Sequence, residues 1–255
     1  MAFVDTHCHL DHHEDRSVAE QVASAHEAGV ELLLTVGTSL ASSNQAVATA
    51  RRHADVWAAV GIHPNDAIEA TPQVLAMIDQ LAADDAVVAV GETGLDYYRD
   101  YTTPEQQADA FRAHIAIAKR HDRALVIHCR DAWDDTLAIL DEVGAPNRVV
   151  MHCFSGDLAV TERCVDEGWF LSYAGNVTFK NADALRLSAA ATPLDLLLTE
   201  TDSPFLAPEP HRGRPNEPAY VVHTLERLAE LLDVDAEDMA AAVEGNARRA
   251  FALPD

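Results

Sequence analysis

Leu125-Val126-Ile127-His128-Cys129-Arg130-Asp131 and, further on, Val149-Val150-Met151-His152-Cys153-Phe154-Ser155-Gly156 repeat one pattern. A short β-branched run ends in a histidine, an amphipathic stretch over Asp131 to Val143 comes next, and the following β-branched run ends in a histidine again. Buried strands alternating with helical periodicity are the mark of parallel βα units. Outward from this pair the pattern recurs. Further strands are predicted at Ala2 to Val4, Leu32 to Val36, Val56 to Val60, Val87 to Val90, Phe170 to Ser172 and Leu196 to Thr199, eight in all. Helical stretches include Arg16 to Ala28 and Pro104 to His121, and those near Pro218 to Leu232 and Ala236 to Ala250 close the ring. Eight such units in 255 residues predict an α/β fold, a single (β/α)8 TIM barrel. No Pro/Gly/Ser-rich linker interrupts residues 1–255, so one domain is expected. The longest irregular stretch, Asp202 to Pro218, carries five of the 11 prolines, and a loop that long in a barrel is usually functional.

With 48% hydrophobic and 24% charged residues the chain can bury a large core, which excludes global disorder. The charge is lopsided: Asp and Glu total 42 against 18 Lys and Arg, a formal net charge of -24, and only Lys119 and Lys180 are lysines. Such a field repels polyanions, unless the acidity is an adaptation to high salt. The acids are scattered rather than gathered in a tail, which favours the halophilic reading. No signal peptide or membrane span is visible, and four cysteines without a disulfide-like framework fit a reducing cytoplasm.

On a barrel the chemistry collects at the C-terminal ends of the strands. Asp5-Thr6-His7-Cys8-His9-Leu10-Asp11 comes after the first strand, and on an extended chain His7 and His9 share one face. His12 and His13 are read as surface residues. The third strand ends in Gly61-Ile62-His63-Pro64, the fourth in Gly91-Glu92-Thr93-Gly94-Leu95-Asp96 and the eighth in Glu200-Thr201-Asp202-Ser203-Pro204. His7, His9, Glu92, His128, His152 and Asp202 are therefore expected to converge. Six ligands exceed what one tetrahedral zinc needs, so two metals bridged by a carboxylate is the better count. Two ions about 3.5–4 Å apart stabilise both oxygens of an in-line displacement at phosphorus. Cys8, Cys129 and Cys153 are expected to point away from the metals if the backbone there is extended. Arg130, Lys180, Arg212 and Arg214, on C-terminal loops, are the candidates for phosphate contacts, against the alternative of solvated charges with acidic neighbours.

These runs, together with Gly175-Asn176-Val177-Thr178-Phe179-Lys180-Asn181, the Arg212-Gly213-Arg214 and Asn216-Glu217-Pro218 loop and Gly245 to Phe251, resemble the TatD-type metal-dependent deoxyribonucleases over essentially the whole chain. The resemblance implies one metal on His7, His9 and Asp202, a second on His128 and His152, and Glu92 between them. It further implies that Asp202 orients or deprotonates the water nucleophile and that His63 contacts substrate phosphate. Magnesium or manganese is the implied metal; the nitrogen-rich donor set also suits zinc or cobalt. Pro215 departs from the basic residue the family often carries there. Many amidohydrolase barrels bridge their metals with a carboxylated lysine after the fourth strand; here that position is Glu92.

The leading expectation is a two-metal phosphodiesterase acting on single-stranded or end-bound DNA, as a 3′-5′ exodeoxyribonuclease. A metal-dependent amide or ester hydrolase, such as a lactonase or an aminoacyl-tRNA deacylase, uses the same water activation. An inactive barrel serving as a binding scaffold is a third reading, which metal content would discriminate. Oligomeric state is left open.

Overall fold

Strands buried on both faces need continuous apolar runs, and the computed structural model, which describes residues 2–13 and 15–254, places strands on those runs. The elements are β1 (Phe3–Cys8), α1 (Val18–Glu27), β2 (Val30–Val36), α2 (Leu40–Ala50), β3 (Val56–Val60), α3 (Pro72–Ala82), β4 (Val87–Asp96) and α4 (Pro104–His121). They continue with β5 (Ala124–Arg130), α5 (Trp133–Val143), β6 (Val149–Met151), α6 (Leu158–Asp166), β7 (Phe170–Tyr173), α7 (Asp183–Ala191), β8 (Leu197–Thr199), α8 (Val221–Leu232) and α9 (Ala236–Phe251). The strands form one eight-stranded sheet in chain order. β1 pairs in parallel with β2, β3 with β4, β4 with β5, β5 with β6 and β7 with β8, and Cys8 bridges Ser203 beyond β8, so the fold is a (β/α)8 barrel.

The described chain packs as two compact units. The first takes the residues through Thr35 with Cys153–Arg249 and those from Leu253; the second takes Val36–His152 with Ala250–Ala252. Local chemistry sets the helix starts. Ser17 and Glu20 form a capping box before α1, Thr103 and Gln106 form another before α4, and Pro104 opens α4 where a missing N–H costs nothing.

β2 begins two residues earlier than its apolar run predicts and β7 ends one residue later, but three strands run well past their predicted C-terminal ends. β1 extends to Cys8, β4 to Asp96 and β5 to Arg130. In β4 the ladder survives because Gly91 and Gly94 lie at φ 143° and 136°, a conformation closed to other residues. A Cβ on Gly94 would lie 2.1 Å from the His128 carbonyl oxygen, so glycine is also what lets β4 lie against β5 as far as Asp96 opposite Arg130. The predicted helix from Pro218 begins as a 3-10 turn, Pro218–Tyr220, before α8.

Candidate metal centre

In the first unit, strand alternation puts His7 and His9 on one side of the end of β1. Their Nε2 atoms are 3.3 Å apart, and Asp202 Oδ1 lies 3.9 Å from the first and 3.5 Å from the second. The backbone fixes this triangle. Asp202 N donates to His7 O at 2.9 Å and His9 N to Ser203 O at 2.8 Å, and Asp202 itself is left-handed, at φ 54°. Underneath, buried Asp5 accepts from Thr201 N at 2.9 Å, Thr201 Oγ1 at 2.5 Å and His7 N at 3.3 Å. Burial pushes the Asp5 carboxyl up to about 8, against the hydrogen bonds from Thr201 and His7.

In the second unit, the side chains gather on one oxygen. Glu92 Oε1 lies 2.8 Å from His128 Nδ1, 3.2 Å from His152 Nε2 and 3.4 Å from His63 Nε2. Burial works against its charge, yet the imidazoles of His152 and His63 and the hydrogen bond from His128 hold Glu92 well below the usual carboxylate range. His128 Nε2 donates to Asp96 Oδ2 at 3.1 Å, so both its ring nitrogens face carboxylates. Burial disfavours its charge, but Asp96 and Glu92 outweigh burial and raise the His128 pKa. Asp96 also accepts from the backbone N–H groups of Tyr98 and Arg99, at 3.0 and 3.1 Å. Buried His114, on α4, supports the neighbouring strand end: its Nε2 accepts from Ile62 N at 3.0 Å and its Nδ1 donates to Ala110 O at 2.7 Å. Desolvation pushes the His114 pKa down to about 4.

Two donors about 2.1 Å from one ion stand about 3–3.4 Å apart. The contacts run from 2.8 to 3.9 Å, around that spacing, and His7, His9 and Asp202 in the first unit and His63, Glu92 and His128 in the second each gather imidazole and carboxylate donors of the kind that suit a divalent cation. His63 differs in one respect. Its Nδ1 accepts from Asn65 N at 3.0 Å, so the neutral ring carries its proton on Nε2 and presents a donor there rather than a lone pair.

The other predicted residues are spread over loops. Arg130 lies with its guanidinium 3.6 Å above the ring of exposed Tyr98. Arg212 stacks at 3.6 Å on Phe179, Lys180 is exposed, and Arg214 is exposed at the wall of a cavity that Tyr220 also lines. None of the four cysteines is in a disulfide. Cys8 donates to Leu34 O at 3.4 Å and Cys129 lies 3.3 Å from Thr136 Oγ1, both buried as expected. The extended backbone assumed at Cys153 does not hold: φ there is 44°. Of the two histidines read as surface residues, His12 is exposed but His13 is half-buried. Asp5, Asp96 and His114 were not assigned roles from the sequence. Asp5 and Asp96 lie inside the strand-end motifs, but nothing local marks His114, whose partner is 52 residues away.

A barrel carrying imidazole and carboxylate groups at its strand ends defines a metal-dependent hydrolase. The profile of TatD-related DNases matches residues 4–252, and the chain belongs to that family. It is 42% identical to the uncharacterized metal-dependent hydrolase TatD of Mycobacterium tuberculosis, over 98% of both chains. It is 38% identical to the 3′-5′ ssDNA/RNA exonuclease TatD of Erwinia tasmaniensis, over 91% of this chain and 92% of that one. Among solved structures, the YjjV TatD homolog of Escherichia coli K12 superposes with a TM-score of 0.92 at 31% identity, covering 99% of this chain and 98% of its own.

Proposed function

We propose that the protein is a 3′-5′ exonuclease, acting on single-stranded DNA through two divalent ions, and that residues 1–255 work as one domain. The observation that carries this reading is the pair of donor groups, each spaced for a cation, in a chain of this family. His7, His9 and Asp202 would hold one ion and His128 and His152 the other, with Glu92 shared. Magnesium or manganese is the proposed metal. The ions would supply Lewis-acid stabilisation of charge developing at phosphorus.

The chain's own residues supply the rest. Asp202, left-handed and held through its N–H to His7 O, would orient the attacking water and take its proton, a role its fixed backbone supports. The phosphorus then gains the water oxygen and loses the 3′-oxygen of the preceding nucleotide, which takes a proton from solvent as it leaves, while Asp202 returns its proton to solvent. His63 donates through Nε2 to a phosphate oxygen, as its Asn65 contact favours. Arg130, Lys180, Arg212 and Arg214 contact the strand's phosphates, and the exposed ring of Phe205 offers a stacking surface for a base. Among the described residues no helix is long and apolar enough to cross a membrane; a cytoplasmic, high-salt setting is part of the proposal.

The test sets purified protein with manganese or magnesium against a 5′-labelled single-stranded oligonucleotide, a small ester and an aminoacyl ester. Stepwise shortening from the 3′ end is expected. Ester turnover without shortening would favour the amide or ester hydrolase instead.

A further inference from the structure

We propose that a cavity of about 420 Å3 in the first unit is the pocket for the terminal nucleoside of the strand, and that it holds the released nucleoside 5′-monophosphate before it departs. This rests on the phosphodiesterase reading. The volume falls in the range of about 300–1,000 Å3 typical of small-molecule sites. Its place is set by the metal ligands of the same unit. Pro204 in its wall lies two residues beyond Asp202, and His12 in its wall stacks on His9 with ring centroids 4.9 Å apart and planes at 16°. A strand with its last phosphate at His7, His9 and Asp202 has its terminal sugar and base within reach of this cavity.

The lining suits a base more than a string of phosphates. Pro204, Pro215 and Tyr220 give it ring surfaces on which any base can stack. Arg16, also in the wall, is committed to an ion pair with Glu217 and to Glu20 O, and Asp15 adds a negative charge. Arg214 is left as the lining cation that forms no ion pair among the described residues, enough for one phosphate group. Half-buried His13 lines the cavity too, and its buried Nε2 has no hydrogen-bond partner among the described residues, a deficit a nucleoside's polar edge would remove.

Tyr220 is braced from behind. Its ring lies parallel to that of His211, at 3.8 Å and 4°. His211 Nε2 is 3.2 Å from His223 Nε2, and His223 Nδ1 is 3.5 Å from Glu226 on α8. A ring held this way loses little freedom when a base packs on it. Selection by ring surfaces is tolerant of base identity but not of a missing base.

The experiment compares cleavage of one single-stranded oligonucleotide with an ordinary 3′-terminal nucleoside and one with an abasic 3′-terminal residue, alongside calorimetric binding of thymidine 5′-monophosphate to the metal-loaded chain. Wild type is expected to favour the base-bearing end by about fivefold or more in kcat/KM. Tyr220→Ala should bring that ratio near one and weaken monophosphate binding in proportion; Tyr220→Phe should keep both. An unchanged ratio in Tyr220→Ala, including one left intact by an equal loss on both ends, overturns the pocket, as does a wild type indifferent to the base. If neither oligonucleotide is cut, the phosphodiesterase reading fails and the binding arm alone decides: monophosphate bound by wild type and lost in Tyr220→Ala upholds the pocket, and no binding overturns it.

Discussion

The two donor groups are built on different principles. In the first, contacts among His7, His9 and Asp202 run from 3.3 to 3.9 Å, and the backbone pairing of 202–203 with 7–9 sets the geometry. In the second, three imidazoles lie 2.8 to 3.4 Å from a single oxygen of Glu92. The first is preorganised by main chain, the second by side chains whose protons stand where a cation's charge would be. An ion entering the second group must therefore displace a proton, while the first depends on strand ends that stay paired. One chain thus assembles two similar donor groups by unlike means, and variants can tell them apart.

The largest effect is expected from Glu92→Ala, which removes the oxygen on which the second group is built. Activity should become undetectable and metal content fall, with circular dichroism showing the fold retained. A variant keeping both metals and near-normal turnover would break the comparison at its base.

Next comes His114, which acts on stability. Its folded pKa of about 4 lies below the ordinary 6.5, so between those values the unfolded chain binds the extra proton. The stabilisation it gives is complete above pH 6.5 and is lost as pH falls toward 4, a loss of about 3 kcal/mol. His114→Gln keeps an acceptor for Ile62 N–H without titrating. Denaturant midpoints at pH 7 and pH 4.5 should fall further apart in wild type than in the variant.

Asp96→Asn probes the support of the second group alone. Losing a carboxylate behind a metal-ligating histidine costs about 10–100-fold in metal affinity or activity. Metal titration should show one weakened equivalent with the other unaffected; equal weakening of both would mean the groups are not independently organised.

The pH dependence of activity sharpens the same contrast. Because Asp96 and Glu92 raise the His128 pKa, its ring stays protonated above the ordinary 6.5 until an ion displaces the proton. At limiting metal the acid limb should lie above pH 6.5, and excess metal should move it lower. A limb indifferent to metal concentration would show that ligand protonation is not its cause.

The smallest effect concerns salt. With a net charge of -24, distant repulsion of a polyanion is screened at about 1 M salt, where the Debye length is about 3 Å. Single-turnover cleavage of a short oligonucleotide should hold or rise from about 0.1 to 1 M, although counterion release alone predicts a steep fall. A steep loss with the fold intact would sink the high-salt reading.

Much of the architecture was legible in the chain. β3 and β6 lie where the apolar runs put them, as does α4. Each histidine or carboxylate proposed as a ligand lies in the C-terminal half of a strand or in the few residues after it, because a βα repeat gathers those positions toward one end of a barrel. Strand length was less legible: an apolar pattern ends at Val90, and only the pairing of β4 with β5 through two left-handed glycines carries the ladder to Asp96.

The sequence by itself determined the repeat, the fold it closes into and the residue types at the strand ends, since these depend on periodicity and on the few residues next to each apolar run. Tertiary structure decided the partners. Asp5 meets Thr201 across 196 residues, and His114 meets Ile62 across 52. It also decided that His63 would offer a proton rather than a lone pair, through one hydrogen bond from Asn65. Hydrogen-bond direction, burial and the resulting pKa values depend on which groups meet in space, and a linear pattern of residue types does not encode that distance.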